Sequence, residues 1–197
     1  MRADLEIISQ WIKPNSRLLD LGCGDGSLLQ YLRKNKQVSG YGLEIDPQHI
    51  TQCVAAGVNV IEQNLNNGLG NFQDKSFDLV LMTQALQTVR RPDRLLDEML
   101  RVGKESIITF PNFGYWRTRL YLLRKGRMPV SKSLPFTWYN TPNIHLCTFK
   151  DFEALCYRKH IKILNRTVVD QSHNKGWGSR ILPNFFGEIA IYRVTHG

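Results

Sequence analysis

A glycine-rich turn in the stretch LLDLGCGDG holds the first residues whose types and spacing could bind a ligand. Gly22, Gly24 and Gly26 recur at every second position after a short apolar run, and Asp20 and Asp25 flank them. Glycines allow positive φ angles and let a ligand approach the backbone closely, and a following helix offers unpaired N–H groups. The pattern therefore predicts a ligand-binding turn between a strand and a helix.

The chemistry of this turn disfavours a dinucleotide. The dinucleotide fingerprint has its third glycine or alanine one residue after Gly26, where this chain has Ser27. The carboxylates of Asp20 and Asp25 would also repel a pyrophosphate, whose charge a helix N-terminus attracts. A cationic or zwitterionic ligand fits the turn better. A tight strand-to-helix connection that binds nothing is the simpler alternative.

A further acidic residue, Glu44, lies about 20 residues beyond the turn, where folds of this kind place a carboxylate to accept hydrogen bonds from ribose hydroxyls. Asp46 is better explained as the N-cap of a helix that has Pro47 at its first position. A ribose acceptor beside a turn that suits an ammonium group describes S-adenosylmethionine, whose amino group and sulfonium are both positively charged.

Short apolar runs alternate with amphipathic segments along the chain. We predict strands at residues 17–21, 38–45, 58–61, 77–82, 106–110, 161–169 and 188–194, and helices at residues 4–12, 27–33, 47–56, 93–102, 113–125 and 148–157. The alternation predicts an α/β fold with a Rossmann-like, doubly wound and mostly parallel sheet. Ligands of such sheets bind beyond the carboxyl ends of the strands. Because no linker divides the chain, we expect a single domain over residues 1–197.

Composition and charge narrow the classes of function. The 197 residues are 42% hydrophobic and 22% charged, which is a globular composition. The four cysteines form no Cys-x-x-Cys pair, so neither a zinc site nor a disulfide framework is indicated, and the cytoplasm is the expected setting. The sequence has no export signal and no run of 18 apolar residues, so we expect no membrane span.

The net charge of +9 is concentrated in one stretch. Residues 106–150 contain no Asp or Glu, but they hold seven basic and nine aromatic residues. Within this stretch, residues 111–147 form what we call the basic aromatic segment. We predict that it contains a helix, followed by an irregular loop, and that the apolar face of the helix consists of Phe113, Trp116, Leu120 and Leu123. Such a segment binds single-stranded nucleic acid, binds protein, or is a solvated helix with its aromatic residues turned to the core.

Several motifs resemble known families. LLDLGCGDG, YGLEIDP and the strand FDLV are similar to class I S-adenosylmethionine-dependent methyltransferases. The segments YGLEIDP, QALQTVRRPD, FPNFGYWRTRLYLLRKGRMPV and WYNTPNIHLCTFKDFEAL resemble the MetW family of bacterial methionine-biosynthesis proteins. This similarity runs from residue 17 to residue 192. Its specific part lies at residues 110–148, because very many methyltransferases share the glycine turn.

The resemblance implies a seven-stranded sheet with an antiparallel last strand, and a site for S-adenosyl-L-methionine or S-adenosyl-L-homocysteine. Glu44 should contact the ribose, and Gln84 should lie at the edge of the methyl-acceptor pocket or simply start a helix. Asn64 stands where many members have an aspartate for the adenine amino group, or it opens a turn. The residues implied to bind the cofactor are Asp20, Gly22, Cys23, Gly24, Glu44, Ile45, Asn64, Leu65 and Gln84.

Two functions follow from the resemblance. In the favoured one, the protein is an accessory or regulatory subunit of a MetX-like homoserine O-acyltransferase, and the basic aromatic segment is the docking surface. In the other, it is an active methyltransferase on a small molecule or RNA. The sequence has no acceptor-specific catalytic motif. His145, Tyr115 and Tyr139 could touch a substrate, but each is more simply a packed or hydrogen-bonded loop residue. No catalytic residue and no metal ligand is assigned, and nucleic acid is the less favoured partner.

Overall fold

A computed structural model describes residues 3–131, 133–169 and 181–197 of the chain. One seven-stranded sheet has the order β3-β2-β1-β4-β5-β7-β6. The strands are β1 (Arg17–Leu21), β2 (Ser39–Glu44), β3 (Val60–Glu62), β4 (Phe77–Thr83), β5 (Gly103–Pro111), β6 (Ile161–Val169) and β7 (Ile189–His196). Strands β1 to β5 pair in parallel, while β7 runs antiparallel to both β5 and β6. The predicted α/β sheet with an antiparallel last strand is therefore confirmed.

The helices connect these strands and cover both faces of the sheet. They are α1 (Ala3–Trp11), α2 (Ser27–Lys36), α3 (Pro47–Ala55), α4 (Pro92–Val102), α5 (Trp116–Lys125), α6 (Phe149–Arg158) and the single turn α7 (Pro183–Phe186). Short 3-10 turns at Leu65–Asn67 and Leu86–Thr88 follow β3 and β4. No helix in the described ranges is both long and apolar enough to cross a bilayer.

The side chains of β1 alternate between two hydrophobic cores, as expected for a sheet that is covered on both faces. Leu18 packs with buried residues of α1, α2 and α3, including Ile8 and Leu32. Leu19 points to the opposite face and packs with buried residues of α4 and α6, including Leu96 and Phe152. This arrangement fixes the carboxyl end of β1, and hence the glycine turn, between two packed layers.

Local capping signals set several boundaries. Asp46 caps α3 by accepting a hydrogen bond from the Gln48 amide at 2.8 Å, and Pro47 is the first helical residue, as predicted. Thr148 and Asp151 form a reciprocal capping box at the start of α6. The predicted bounds of β1 and β6 are also confirmed.

The predicted start of α5 is wrong. The helix begins at Trp116 rather than at residue 113, because the Asn112 side-chain oxygen accepts a hydrogen bond from the Gly114 amide at 3.0 Å and holds a turn there. Leu123, which belongs to the predicted apolar face, is 83% exposed. Thr118 is the buried residue of this helix.

Candidate functional site

The glycine turn joins β1 to α2 at the carboxyl edge of the sheet. All three glycines have positive φ, and the amides of Gly22 and Cys23 both donate to the Leu43 carbonyl, at 2.8 and 3.1 Å. A Cβ on Gly26 would lie 2.9 Å from the Cys53 sulfur, so this position requires glycine for space as well as for its φ of 74°. The turn is therefore fixed against β2 and α3 before any ligand binds.

A cavity of about 570 Å³ opens above this turn. Asp20, Gly22, Cys23 and Gly24 of the predicted set line it, and Thr83 closes the β4 side. A volume of this size is ordinary for a small-molecule site. The other walls include Leu5 of α1 and Tyr31 of α2, and no motif in the sequence marked either residue.

The lining of the cavity is acidic. Asp20 is 1% exposed at the end of β1, and Asp25 lies at the rim. A hydrogen bond from the Ser27 amide to Asp25, at 3.0 Å, holds the pKa of this carboxyl below its usual value. Among the described residues, no lysine or arginine lines the cavity. The predicted preference for a positively charged ligand thus has a structural basis.

Glu44 ties the turn to the end of β2. Its carboxylate accepts hydrogen bonds from the amides of Gly24 (2.8 Å), Ile45 (2.8 Å) and Asp46 (3.1 Å), and its side chain is 10% exposed. A carboxylate has about four lone-pair sites, so one remains for a ligand hydroxyl. A second hydroxyl would have to replace a backbone donor. Ile45, the next residue, is 55% exposed at the same edge.

Asn64 and Leu65 line a different cavity, of about 760 Å³, together with Arg90 and Arg94. The Asn64 side-chain oxygen accepts hydrogen bonds from the Asn66 amide (2.9 Å) and the Asn66 side chain (3.0 Å). The turn-opening alternative therefore accounts for the contacts of Asn64. The structure places both residues at the carboxyl end of β3, outside the cavity above the glycine turn.

Gln84 follows β4 with a left-handed φ of 55°. Its amide donates to the carbonyl of Thr109 at 3.0 Å, and its side chain donates to the Asp4 carboxylate in α1 at 3.2 Å. The following 3-10 turn has Ala85, not Gln84, as its N-cap, so the helix-starting alternative is wrong. Strained backbone of this kind clusters at functional sites.

A hydrogen-bonded link that the sequence did not reveal joins this position to the basic aromatic segment. The Gln87 side chain donates to the Gln84 carbonyl at 2.8 Å. The Gln87 carbonyl in turn accepts from the amides of Ile144 (2.9 Å) and His145 (3.1 Å). The His145 ring also donates to the Arg90 carbonyl at 3.2 Å. We call this set of contacts the Gln87 link.

Two cysteines that are far apart in sequence meet beneath the turn. The sulfur atoms of Cys23 and Cys53 are 3.8 Å apart, and both are free thiols. Burial is the main cause that raises the pKa of each thiol. Both therefore stay protonated and act as small packing residues next to the cavity.

The residues considered as substrate contacts do not gather at the cavity. Tyr139 is 71% exposed on the basic aromatic segment, and His145 belongs to the Gln87 link. Tyr115 is the N-cap residue of α5. Over the described ranges there is no cluster of His, Cys, Asp and Glu that could hold a metal ion.

Comparison with known proteins gives the following relationships. A family model described as methionine biosynthesis protein MetW matches residues 2–194. The bifunctional methionine biosynthesis protein MetXA/MetW of Rhodopirellula baltica is 35% identical over 193 residues, which cover 93% of this chain and 30% of that protein. The chain thus spans under a third of the length of this relative.

Two solved structures share the fold. A possible histamine N-methyltransferase of Thermotoga maritima aligns with a TM-score of 0.67 at 20% identity, covering 99% of this chain and 88% of that one. An S-adenosylmethionine-dependent methyltransferase of Mesorhizobium loti aligns with a TM-score of 0.70 at 15% identity, covering 98% and 97%. At these identities the likeness concerns the fold.

Proposed function

Because the chain belongs to the MetW family of methionine biosynthesis proteins, we propose that it is an S-adenosylmethionine-binding accessory subunit of a homoserine O-acyltransferase. The observation that carries this proposal is the fusion in Rhodopirellula baltica, where one polypeptide is named for both MetXA and MetW. A fusion keeps two proteins at high effective concentration, which is useful when they act together.

The acidic cavity supports binding of S-adenosylmethionine or S-adenosylhomocysteine. In this proposal, Asp20 and the backbone of Gly22 and Gly24 receive the methionine part of the cofactor, with its ammonium group facing the buried carboxylate. The free lone pair of Glu44 accepts one ribose hydroxyl. Ile45 offers an exposed apolar side chain to the adenine.

The Gln87 link supports a regulatory role. It connects the backbone at Gln84, beside the cavity, with Ile144 and His145 in the basic aromatic segment through direct hydrogen bonds. A cofactor that shifts the turn after β4 would therefore bias the conformation of that segment. Such a subunit would make the activity of the acyltransferase depend on the concentration of S-adenosylmethionine.

The test is the affinity of the purified acyltransferase for this protein, measured by calorimetry with and without saturating S-adenosylmethionine. We expect the cofactor to change the affinity at least about 5-fold, the lower end of usual allosteric coupling. Equal affinity across physiological cofactor levels would contradict the regulatory role. No binding of the acyltransferase under any condition would contradict the accessory role itself.

The variant Gln87→Met tests the link. It removes the side-chain donor to Gln84 at nearly constant volume, and it also removes a buried amide oxygen that has no partner among the described residues. We expect both ligands to bind with unchanged affinity but the coupling between them to fall to less than about 2-fold. The matched control is Gln30→Met, which removes a similar bond, to the Ala56 carbonyl at 3.1 Å, that does not reach the basic aromatic segment. Coupling that survives in Gln87→Met would mean that another route connects the sites.

The fold that the chain shares with solved S-adenosylmethionine-dependent methyltransferases supports one second candidate, methyl transfer to an acceptor above the carboxyl ends of the strands. Methyl transfer depends largely on alignment, so it needs no dedicated base. Purified protein that binds the cofactor should then transfer labelled methyl groups to a component of cell extract. Absence of any labelled product would eliminate this candidate while leaving the accessory role intact.

A further inference from the structure

The basic aromatic segment exposes an unusual amount of apolar surface. Leu123 is 83%, Trp138 76% and Tyr139 71% exposed. The other exposed large hydrophobic side chains of this region are Tyr121, Met128, Val130, Phe136, Ile144 and Leu146. Monomeric proteins rarely expose contiguous apolar patches of this kind, and those that do generally use them for binding. The alternative in which the aromatic residues of the segment turn to the core is therefore wrong for Trp138 and Tyr139.

Five of these side chains, those of Met128, Phe136, Trp138, Ile144 and Leu146, line a groove. An apolar cavity of about 190 Å³ lies along the loop after α5, lined by residues such as Phe113, Met128, Leu134, Phe136 and Trp138. The loop is held by its own short-range bonds, including reciprocal backbone bonds between Ser131 and Leu134 at 2.9 and 3.2 Å. Its far end is fixed by the Gln87 link. An apolar surface held in place before binding loses less entropy when a partner arrives.

Several positive charges on α5 and directly after it have no ion-pair partner among the described residues. Arg117, Arg124, Lys125 and Arg127 are exposed, and no described carboxylate lies within ion-pair distance of them. The Arg117 guanidinium lies over the Trp116 ring at 5.4 Å, which holds it at the surface. Residues 106–150 contain no acidic residue, so no carboxylate of this stretch neutralises these charges, and an acidic partner would complement them.

We propose that the outer face of α5 and the loop that follows it, residues 117–146, form a docking surface for an apolar patch with an acidic rim on the acyltransferase. This inference rests on the proposed function for the identity of the partner. The chemistry favours protein over single-stranded nucleic acid, because Leu123, Val130 and Ile144 cannot stack on bases as aromatic residues do. A core of Trp, Tyr and Met with an arginine border is the usual composition of a protein interface.

The experiment measures the affinity of the full-length protein for the purified acyltransferase by calorimetry. We expect Trp138→Ala to weaken binding at least about 30-fold, the effect of losing a central hot spot. Its matched control is Tyr157→Ala, which truncates an aromatic residue that is 84% exposed on α6, outside the surface. The control should change the affinity less than about 2-fold, and thermal unfolding should show both variants folded.

The contribution of these positive charges is tested by Arg117→Ala combined with Arg124→Ala. We expect roughly 10-fold weaker binding at low salt and a smaller difference at high salt, because exposed charges are screened. Lys34→Ala combined with Lys162→Ala removes two exposed positive charges elsewhere and should have little effect. S-adenosylmethionine should bind both double variants as it binds the unaltered protein.

The outcomes separate the two proposals. If the unaltered protein binds the acyltransferase and the Trp138 and arginine variants bind equally well, the docking surface is wrong and the accessory role stands. If the unaltered protein does not bind, both fall. If instead a single-stranded RNA of about 20 nucleotides binds with steep salt dependence and Trp138→Ala abolishes that binding, the surface belongs to nucleic acid and the protein assignment is overturned.

Discussion

The glycine turn and the basic aromatic segment lie at the same edge of one sheet, but they differ in how far the chain itself pairs or buries their side chains. At the turn, polar groups are paired inside the chain: Glu44 alone satisfies three backbone amides. In the segment, apolar groups such as Leu123 and Trp138 remain in water. In our proposal, the first region binds a small charged ligand, and the second binds an apolar surface of a partner protein.

This contrast explains why the two regions carry different kinds of information. A turn that is fixed by internal contacts can serve many proteins with the same cofactor, so its motif identifies a fold. The residues of a docking surface have to complement one particular partner, so their sequence identifies a family. We propose that the Gln87 link couples the two regions.

The largest effect on cofactor binding is expected from a substitution at Glu44, whose carboxylate ties the glycine turn to β2. In Glu44→Gln, one carboxylate oxygen becomes an amide NH2 group that faces backbone N–H donors, and the negative charge that we propose to face the ribose is lost. Hydrogen bonds to charged groups contribute about 1.5–3 kcal/mol, so we expect S-adenosylmethionine to bind about 10- to 100-fold more weakly by calorimetry.

The control for this change is Glu62→Gln. Glu62 is exposed and is the register partner of Glu44 on β3, and it should leave cofactor affinity unchanged. Acyltransferase affinity without cofactor should be the same in both variants. If Glu44→Gln weakens partner binding as much as cofactor binding, the two regions are not separate and the comparison fails.

A smaller effect, on stability, is expected at Gly42, which packs against Cys23 of the glycine turn. A Cβ at Gly42 in β2 would overlap the Cys23 sulfur and lie 2.8 Å from the Cys23 Cβ. Overpacking of this kind costs about 1–3 kcal/mol, so Gly42→Ala should lower the free energy of unfolding by that amount in denaturant titrations. Adding Cys23→Ala should restore part of the loss, because it removes the overlapping atom.

Two control variants show whether the loss of stability is specific to the packing around Gly42. Gly70→Ala meets nothing within 4 Å, and Leu123→Ala truncates an exposed side chain, so each should change stability by less than about 0.5 kcal/mol. Leu123→Ala should nevertheless weaken binding of the acyltransferase. A Leu123 variant as unstable as Gly42→Ala would show that the segment is part of the core.

Sequence signals predicted the features that are local. The apolar run before the glycines predicted β1, and the Asp46-Pro47 pair predicted the start of α3. What they missed depends on tertiary contacts. Periodicity identified an apolar face on α5 but did not show that Leu123 on that face is exposed. The Gln87 link joins residues 57 positions apart, and no spacing rule reveals such a bond.

The smallest effect that we expect concerns Asp25, at the rim of the cavity. Gly26 is the N-cap residue of α2 and has no side chain that could accept a hydrogen bond. The Asp25 carboxylate accepts one from the Ser27 amide instead. Asp25→Asn keeps an oxygen that can accept this bond but removes the charge near the helix N-terminus. We expect a loss of about 0.3–1 kcal/mol in the free energy of unfolding at pH 7.

The pH dependence of that loss follows from the direction of the pKa shift. The folded-state pKa of Asp25 lies below the unfolded value of about 3.9, so the charge stabilises the folded protein above that pH. As the pH falls through the unfolded value toward the folded one, the carboxylate takes up its proton and the stabilisation disappears. Denaturant titrations should therefore show a constant gap between the unaltered protein and Asp25→Asn from about pH 8 to pH 5, and a shrinking gap below about pH 4. Acyltransferase affinity should not follow this gap, because Asp25 belongs to the turn and not to the docking surface. A gap that widens in acid would mean that the charge of Asp25 opposes folding, and the acidic cavity would then be strained rather than preformed for a cation.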